Sequence, residues 1–156
     1  MPAMKPQPGE PAPDFALPAD DGSTVTRDGL LGRRYVLYFY PKDDTPGCTS
    51  QACSMRDSFD RVTDAGIEVY GISPDSVASH VKFRDKYALP YRLLADEGHR
   101  VADDYGVWVD KTYMGRSYQG VERSSFIIGP DGRIEHVLER VKPAEHVDLI
   151  MEALAA

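Results

Sequence analysis

The chain has two cysteines, Cys48 and Cys53, five positions apart in the stretch "YPKDDTPGCTSQACSMRD", residues 40–57. The preceding Thr45-Pro46-Gly47 reads as a helix start, with Thr a favoured N-cap and Pro favoured at the first helical position. Cys48 is then the third helical residue. An N-cap threonine oxygen commonly accepts the N–H of that residue, so the Thr45 hydroxyl is expected beside Cys48. Unpaired first-turn N–H groups and the positive end of the helix dipole favour a thiolate, the reactive form of cysteine. Cys48 is therefore the better candidate nucleophile. It also follows the C-terminal end of a strand, where α/β sheets place their sites.

Cys53 is placed differently. Five helical residues turn by about 140° net and rise about 7.5 Å, so the two Cα atoms stand roughly 8–9 Å apart. A disulfide does not close beyond about 7 Å without backbone movement. Cys48 shares a face with Ala52, Met55 and Phe59, while Cys53 points away among Asp57 and Asp60. The thiols can bond only if the first turn or two unwinds, and Gly47 with flanking prolines makes that turn a plausible place to melt.

Other readings compete. A lone cysteine is commonly a small buried hydrophobe, and Cys53 alone would be read so. Two thiols with scattered His80, His99, His136 and His146 give no paired zinc-ligand spacing, and each histidine reads as a surface or packing residue. Asp43 and Asp44 could be an acid–base pair, but acidic residues before a helix ordinarily match its dipole. The cysteine spacing is not C-x-x-C.

Composition bounds the rest. The 156 residues are the size of one domain, read as 1–156 with residues 1–13 an extended Pro-rich lead-in lying on the surface. Lys and Arg number 18 against 25 Asp and Glu, a net charge of −7, which argues against nucleic acid or an anionic membrane as partner. No apolar run approaches the ~20 residues of a membrane span, and "MPAMKPQPGEPAP" lacks the apolar region of a secretory signal. The expected place is the cytoplasm, where thiols stay reduced.

The elements that position the cysteines follow from patterning. "DFALPADDGSTVT" reads as two short strands around Asp21-Gly22. "RRYVLYFYP" is an apolar run fit for a central strand buried on both faces. A helix is expected over about 46–65 with Ala52, Met55, Phe59 and Val62 inward, ending at Gly66. Strand 67–73, helix 75–88, strand "YRLLAD", a short helix "GHRVADDYG" and a long loop over 106–122 follow. Two strands around the turn "PDG" and a closing helix from Pro143 complete the chain. Alternating β and α imply parallel strands, and the late hairpin adds an antiparallel edge, giving an α/β sandwich with a mixed sheet.

"FYPKDDTPGCTSQAC" resembles the active-site segment of peroxiredoxins, specifically the peroxiredoxin Q (bacterioferritin comigratory protein) group. The family pattern P-x-x-x-T-x-x-C is met by Pro41, Thr45 and Cys48, and Cys53 matches the group's second cysteine. "GEPAPDFALP" is similar to the family's N-terminal segment. "YGVWVDKTYMGRSYQGVERSSFIIG" is similar to its later catalytic segment, with Arg123 at the family arginine. The resemblance runs from about Pro8 to the last helix and implies a thioredoxin-like fold with an N-terminal hairpin extension.

The resemblance further implies a thiol peroxidase serving antioxidant defence. Cys48 would attack hydrogen peroxide or an organic hydroperoxide and become a sulfenic acid. Arg123 would stabilise the thiolate and orient the peroxide, Thr45 would hydrogen-bond the reacting oxygens, and Pro41 would shield the pocket. Cys53 would resolve the sulfenic acid as an intramolecular disulfide, re-reduced by thioredoxin or a similar dithiol protein. No cofactor or metal is implied, and the resemblance points to a monomer. The C-terminal Tyr-Phe and Gly-Gly-x-Gly segments of peroxide-sensitive relatives are missing, so over-oxidation is expected to be reduced. Two rival readings remain: a disulfide oxidoreductase on the same fold, and a redox-regulated sensor or binding protein.

Overall fold

The computed structural model describes residues 4–155. Its centre is strand β3 (Arg34–Phe39), which with Tyr40 alternates Tyr35, Leu37 and Phe39 on one face with Val36, Tyr38 and Tyr40 on the other, all buried. Apolar on both faces, it can lie only between two layers. It runs parallel to β4 (Ile67–Ser73), which runs parallel to β5 (Arg92–Ala95). On its other side β8 (Ser124–Ile128) is antiparallel, and β9 (Ile134–Leu138) forms the edge. The order is β5-β4-β3-β8-β9, a mixed α/β sheet with the expected parallel half and antiparallel edge.

Four helices cover one face: α1 (Pro46–Asp57), α2 (Phe59–Asp64), α3 (Val77–Tyr87) and α5 (His146–Ala155). They contribute Cys48, Ala52, Met55, Val62, Phe83 and Ile150 to a core with Val36, Tyr38 and Tyr40. The other face lies under the hairpin β1 (Ala16–Pro18) and β2 (Thr24–Thr26) and under α4 (Arg100–Asp104), with Phe15, Val25, Val101 and Tyr105 packed on Leu37, Phe39 and Phe126. A short 3-10 turn, Pro143–Glu145, leads into α5. No helix among the described residues is long and apolar enough to cross a membrane.

Two expectations need correcting. The segment 106–122 is not a loop. It is an antiparallel hairpin, β6 (Trp108–Tyr113) and β7 (Arg116–Val121), whose tip turns through Met114 and Gly115, both at positive φ. Most of its residues face solvent or are half-buried, so it carries no alternating apolar signal. The single helix expected over 46–65 is two, because Ser58 leaves helical geometry with φ −106° and ψ 10°. The described part of the lead-in binds the sheet edge: Gly9 N–H donates to the Ile134 carbonyl and Ile134 N–H to the Glu10 carbonyl, both at 2.8 Å. Pro2, which also entered that reading, lies outside the described residues.

Candidate active site

The site is built where β3 ends. Tyr40 N–H still donates to the Ile72 carbonyl at 3.0 Å, and the chain then leaves the sheet through half-buried Pro41. Asp43 and Asp44 do not act together. Asp43 is buried and accepts the Tyr40 hydroxyl at 2.6 Å, whereas Asp44, at a positive φ of 55°, faces solvent and takes Lys86 and Tyr87, each at 2.8 Å.

Thr45 is the N-cap residue, with extended backbone (φ −103°, ψ 155°), and its carbonyl accepts the Thr49 N–H at 2.8 Å. The expected capping bond is absent. Its hydroxyl instead donates to the Lys42 carbonyl at 2.8 Å. Pro46 has no N–H, so the first-turn N–H groups of Gly47 and Cys48 are left uncapped by that side chain.

Cys48 is 3% exposed, and the Arg123 guanidinium lies against its sulfur, with Nη2 at 3.4 Å and Nη1 at 3.5 Å. Seventy-five residues of sequence separate them. Arg123 sits between β7 and β8, where its carbonyl also accepts the Val141 N–H. Gly47 makes room for it, since a Cβ there would stand 3.2 Å from Arg123 Nη2 and 3.6 Å from Pro143 Cγ. Gln51, fully buried one turn after Cys48, accepts from Arg123 Nη1 at 2.5 Å, while its own Nε2 has no partner. Cys53, in the same helix, is partly exposed, and both cysteines are free thiols.

Two further groups share this field. Lys111, half-buried on β6, has its pKa lowered, first by burial and then by the Arg123 charge, with Cys48 and Glu122 pulling the other way. His146, fully buried, is pushed down to about 3 by burial and then by Arg123, so its ring is neutral. It hydrogen-bonds the Ser125 hydroxyl at 2.7 Å and packs edge-on against Tyr38.

The pattern of the AhpC/TSA family matches residues 8–137. The chain belongs to that family. It is 44% identical to peroxiredoxin Bcp of Escherichia coli, over 94% of both chains, and 42% identical to peroxiredoxin Bcp of Bacillus subtilis, over 94% of this chain and 93% of that one. Among solved structures it is similar to a Xanthomonas campestris bacterioferritin comigratory protein described for its alkyl peroxide reduction activity. That similarity has a TM-score of 0.84 and 32% identity, and covers 90% of each chain. As a peroxiredoxin the chain is a thiol peroxidase, an oxidoreductase with a thioredoxin-like fold.

Within this peroxiredoxin the fold brings Cys48 and Arg123 into contact, sets Thr45 at the helix start and puts Pro41 at the strand end. It holds Cys53 apart from Cys48 along α1. A guanidinium over a buried thiol, beside free backbone donors, can stabilise a thiolate and then the negative oxygen expelled from a peroxide. Gln51 was not singled out in the sequence, although its i+3 spacing from Cys48 puts it on the same buried face. Asp43, Asp75 and His80 bring ligand-type atoms within 4.8 Å of one another. Both Asp43 oxygens and Asp75 Oδ2 are already engaged by hydroxyl or N–H groups, which makes this a hydrogen-bonded cluster.

Proposed function

We propose that the chain reduces hydrogen peroxide and organic hydroperoxides through a sulfenic acid on Cys48, resolved by Cys53 and re-reduced by a thioredoxin-type dithiol protein. The observation that carries this reading is the two-nitrogen contact of Arg123 with the Cys48 sulfur. The Cys48 thiolate attacks the terminal peroxide oxygen. An S–O bond forms, the O–O bond breaks, and the departing hydroxide or alkoxide takes a proton to leave as water or alcohol. Arg123 and the N–H groups of the first turn hold the charge that moves onto that oxygen. With its proton committed to the Lys42 carbonyl, the Thr45 oxygen is left to accept the peroxide O–H, which orients the O–O bond. Pro41 keeps bulk water from the pocket.

The Cys53 thiolate then attacks the Cys48 sulfur: the S–S bond forms, the S–O bond breaks, and the departing hydroxide takes a proton from solvent to leave as water. Because α1 spans both cysteines, this step needs its first turns to unwind. The dithiol reductant restores both thiols. Activity toward alkyl peroxides in the Xanthomonas relative supports organic hydroperoxides as substrates. A cycle ending in reduced thiols suits the cytoplasm.

A thioredoxin-coupled peroxide assay on wild type, Cys48→Ser and Cys53→Ser tests this. Cys48→Ser is expected to lose about 10³-fold or more, as removal of a nucleophile does. Cys53→Ser should form one equivalent of sulfenic acid and then fail to cycle. Rapid peroxide reduction by Cys48→Ser, or normal cycling by Cys53→Ser, contradicts the assignment. Stoichiometric oxidation of wild type without turnover favours the sensor reading.

A further inference from the structure

We propose that His80 is a positioning residue for this reaction: its buried, doubly hydrogen-bonded ring pins Asp43, and with it the segment Pro41–Thr45 that leads into the helix of Cys48. The proposal rests on Cys48 being the peroxide-reactive thiol, but its own observations lie elsewhere.

His80 stands in the first turns of α3 and is fully buried. Its Nδ1 is 2.7 Å from Asp43 Oδ2, and its Nε2 is 2.9 Å from the Leu94 carbonyl oxygen on β5. A carbonyl can only accept, and so can an ionised carboxylate, whereas a neutral imidazole has one N–H. Satisfying both bonds takes both ring protons, so the ring is an imidazolium. Burial opposes that charge. The hydrogen bond and charge of Asp43 outweigh burial, helped by the Leu94 carbonyl and then Asp75, and the His80 pKa is raised.

The groups facing the ring come from every neighbouring element. Asp43 and Tyr40 follow β3, Asp75 and Ser79 flank the start of α3, and Leu94 belongs to β5. Asp20, after β1, also feels His80 and is paired with Arg84 at 3.4 Å.

Asp43 is thereby held on all sides. Besides His80 it accepts the Tyr40 hydroxyl at 2.6 Å and the Ser79 hydroxyl at 2.8 Å. Its backbone N–H donates at 2.8 Å to Asp75 Oδ2, an oxygen that also accepts the Ser73 hydroxyl at 2.6 Å. Two residues further on is Thr45, and three beyond that is Cys48. The helix start must meet the peroxide in one geometry, and a misplacement of about 1 Å can cost on the order of 10²-fold in rate. His80 touches neither the sulfur nor the peroxide, and acts only through Asp43.

The full-length reduced protein tests this by ring nitrogen–proton NMR together with three variants. Both His80 nitrogens are expected to carry protons at pH 7, and a neutral tautomer overturns the proposal whether or not any variant folds. His80→Asn keeps a donor near the Nδ1 position, His80→Gln near Nε2, and His80→Leu only the volume. Single-turnover oxidation of Cys48 by hydrogen peroxide should stay within about 3-fold of wild type in His80→Asn and fall about 10-fold or more in the other two. Amide exchange at Asp43 should quicken in His80→Gln and His80→Leu. Equal rates in all four proteins, or equal slowing in all three variants, contradict a tether through Asp43. If wild-type Cys48 proves inert to peroxide, the functional reading fails, while ring protonation and exchange at Asp43 still judge the tether.

Discussion

The two halves of residues 40–57 are built to opposite standards. From Tyr40 to Thr45 the chain is irregular, yet Asp43 alone accepts three side-chain donors and ties its backbone to Asp75. From Pro46 to Asp57 it is regular helix, yet its side-chain and carbonyl ties are few: Cys48 and Gln51 to Arg123, the Ala52 carbonyl to the Tyr91 hydroxyl at 3.4 Å, and Arg56 to the Tyr87 carbonyl at 2.7 Å. Regularity is thus no guide to rigidity here. A reaction that needs one geometry for attack and another for disulfide closure can fix the loop and let the helix yield. Met55 sets a natural end to the yielding part. It is fully buried, and exposing such a side chain costs about 1.5–3 kcal/mol, so unwinding should stop near Ser54.

Breaking the fixed half should have the largest effect on stability. Asp43→Asn strips the buried His80 ring of its charged partner and should lower unfolding free energy by about 3 kcal/mol in denaturant titrations. The deficit depends on pH. The His80 pKa is raised in the folded state, so the pair's contribution is complete below about pH 6.5, the unfolded value, and is lost as pH rises through the folded one. The gap between wild type and Asp43→Asn should therefore be widest near pH 6 and narrow in alkali. A gap that widens with pH would show that His80 is not the charged partner.

Gly47→Ala probes the yielding half with a smaller effect. Its Cβ meets Arg123 at 3.2 Å, so peroxide oxidation of Cys48 should slow about 10-fold in stopped flow. Alanine also favours helix over glycine by about 0.5–1 kcal/mol, so disulfide closure should slow about 2- to 5-fold as well. Smallest of all, Asp44→Asn removes only the outer, exposed tie to Lys86, and should leave turnover within about 2-fold and Tm unchanged. A large loss there would mean that the loop is held from outside rather than through Asp43.

Much of this was legible in the sequence, and the reasons for the rest are physical. The run Tyr35–Tyr40 announces a central strand because each residue type suits burial, and Phe83 and Tyr87 do pack as an i,i+4 pair with ring centroids 5.5 Å apart. The hairpin at 108–121 was missed because its faces are mostly wet and its turn uses Met114, an unusual residue at positive φ. The break at Ser58 has no Gly or Pro to mark it. At the site, the spacing of Cys48 and Cys53 could be read locally. Arg123 reaches Cys48 only through the sheet, and nothing in its neighbours hints at a sulfur 75 residues away. Each histidine reads in the sequence as a surface or packing residue, with nothing to tell which; those at 80 and 146 are fully buried. That His80 is also a charged tether depends on Asp43 and Leu94, which the fold brings from two other elements.

The contrast between fixed loop and yielding helix can be measured directly by amide hydrogen exchange across residues 40–57 in the dithiol and disulfide forms. Oxidation should quicken exchange about 10-fold or more over residues 49–54, while Asp43 and residues 55–57 stay protected as before. Exchange over 49–54 that is equally slow in both forms would contradict an unwinding α1, and with it the route by which Cys53 is held to reach Cys48.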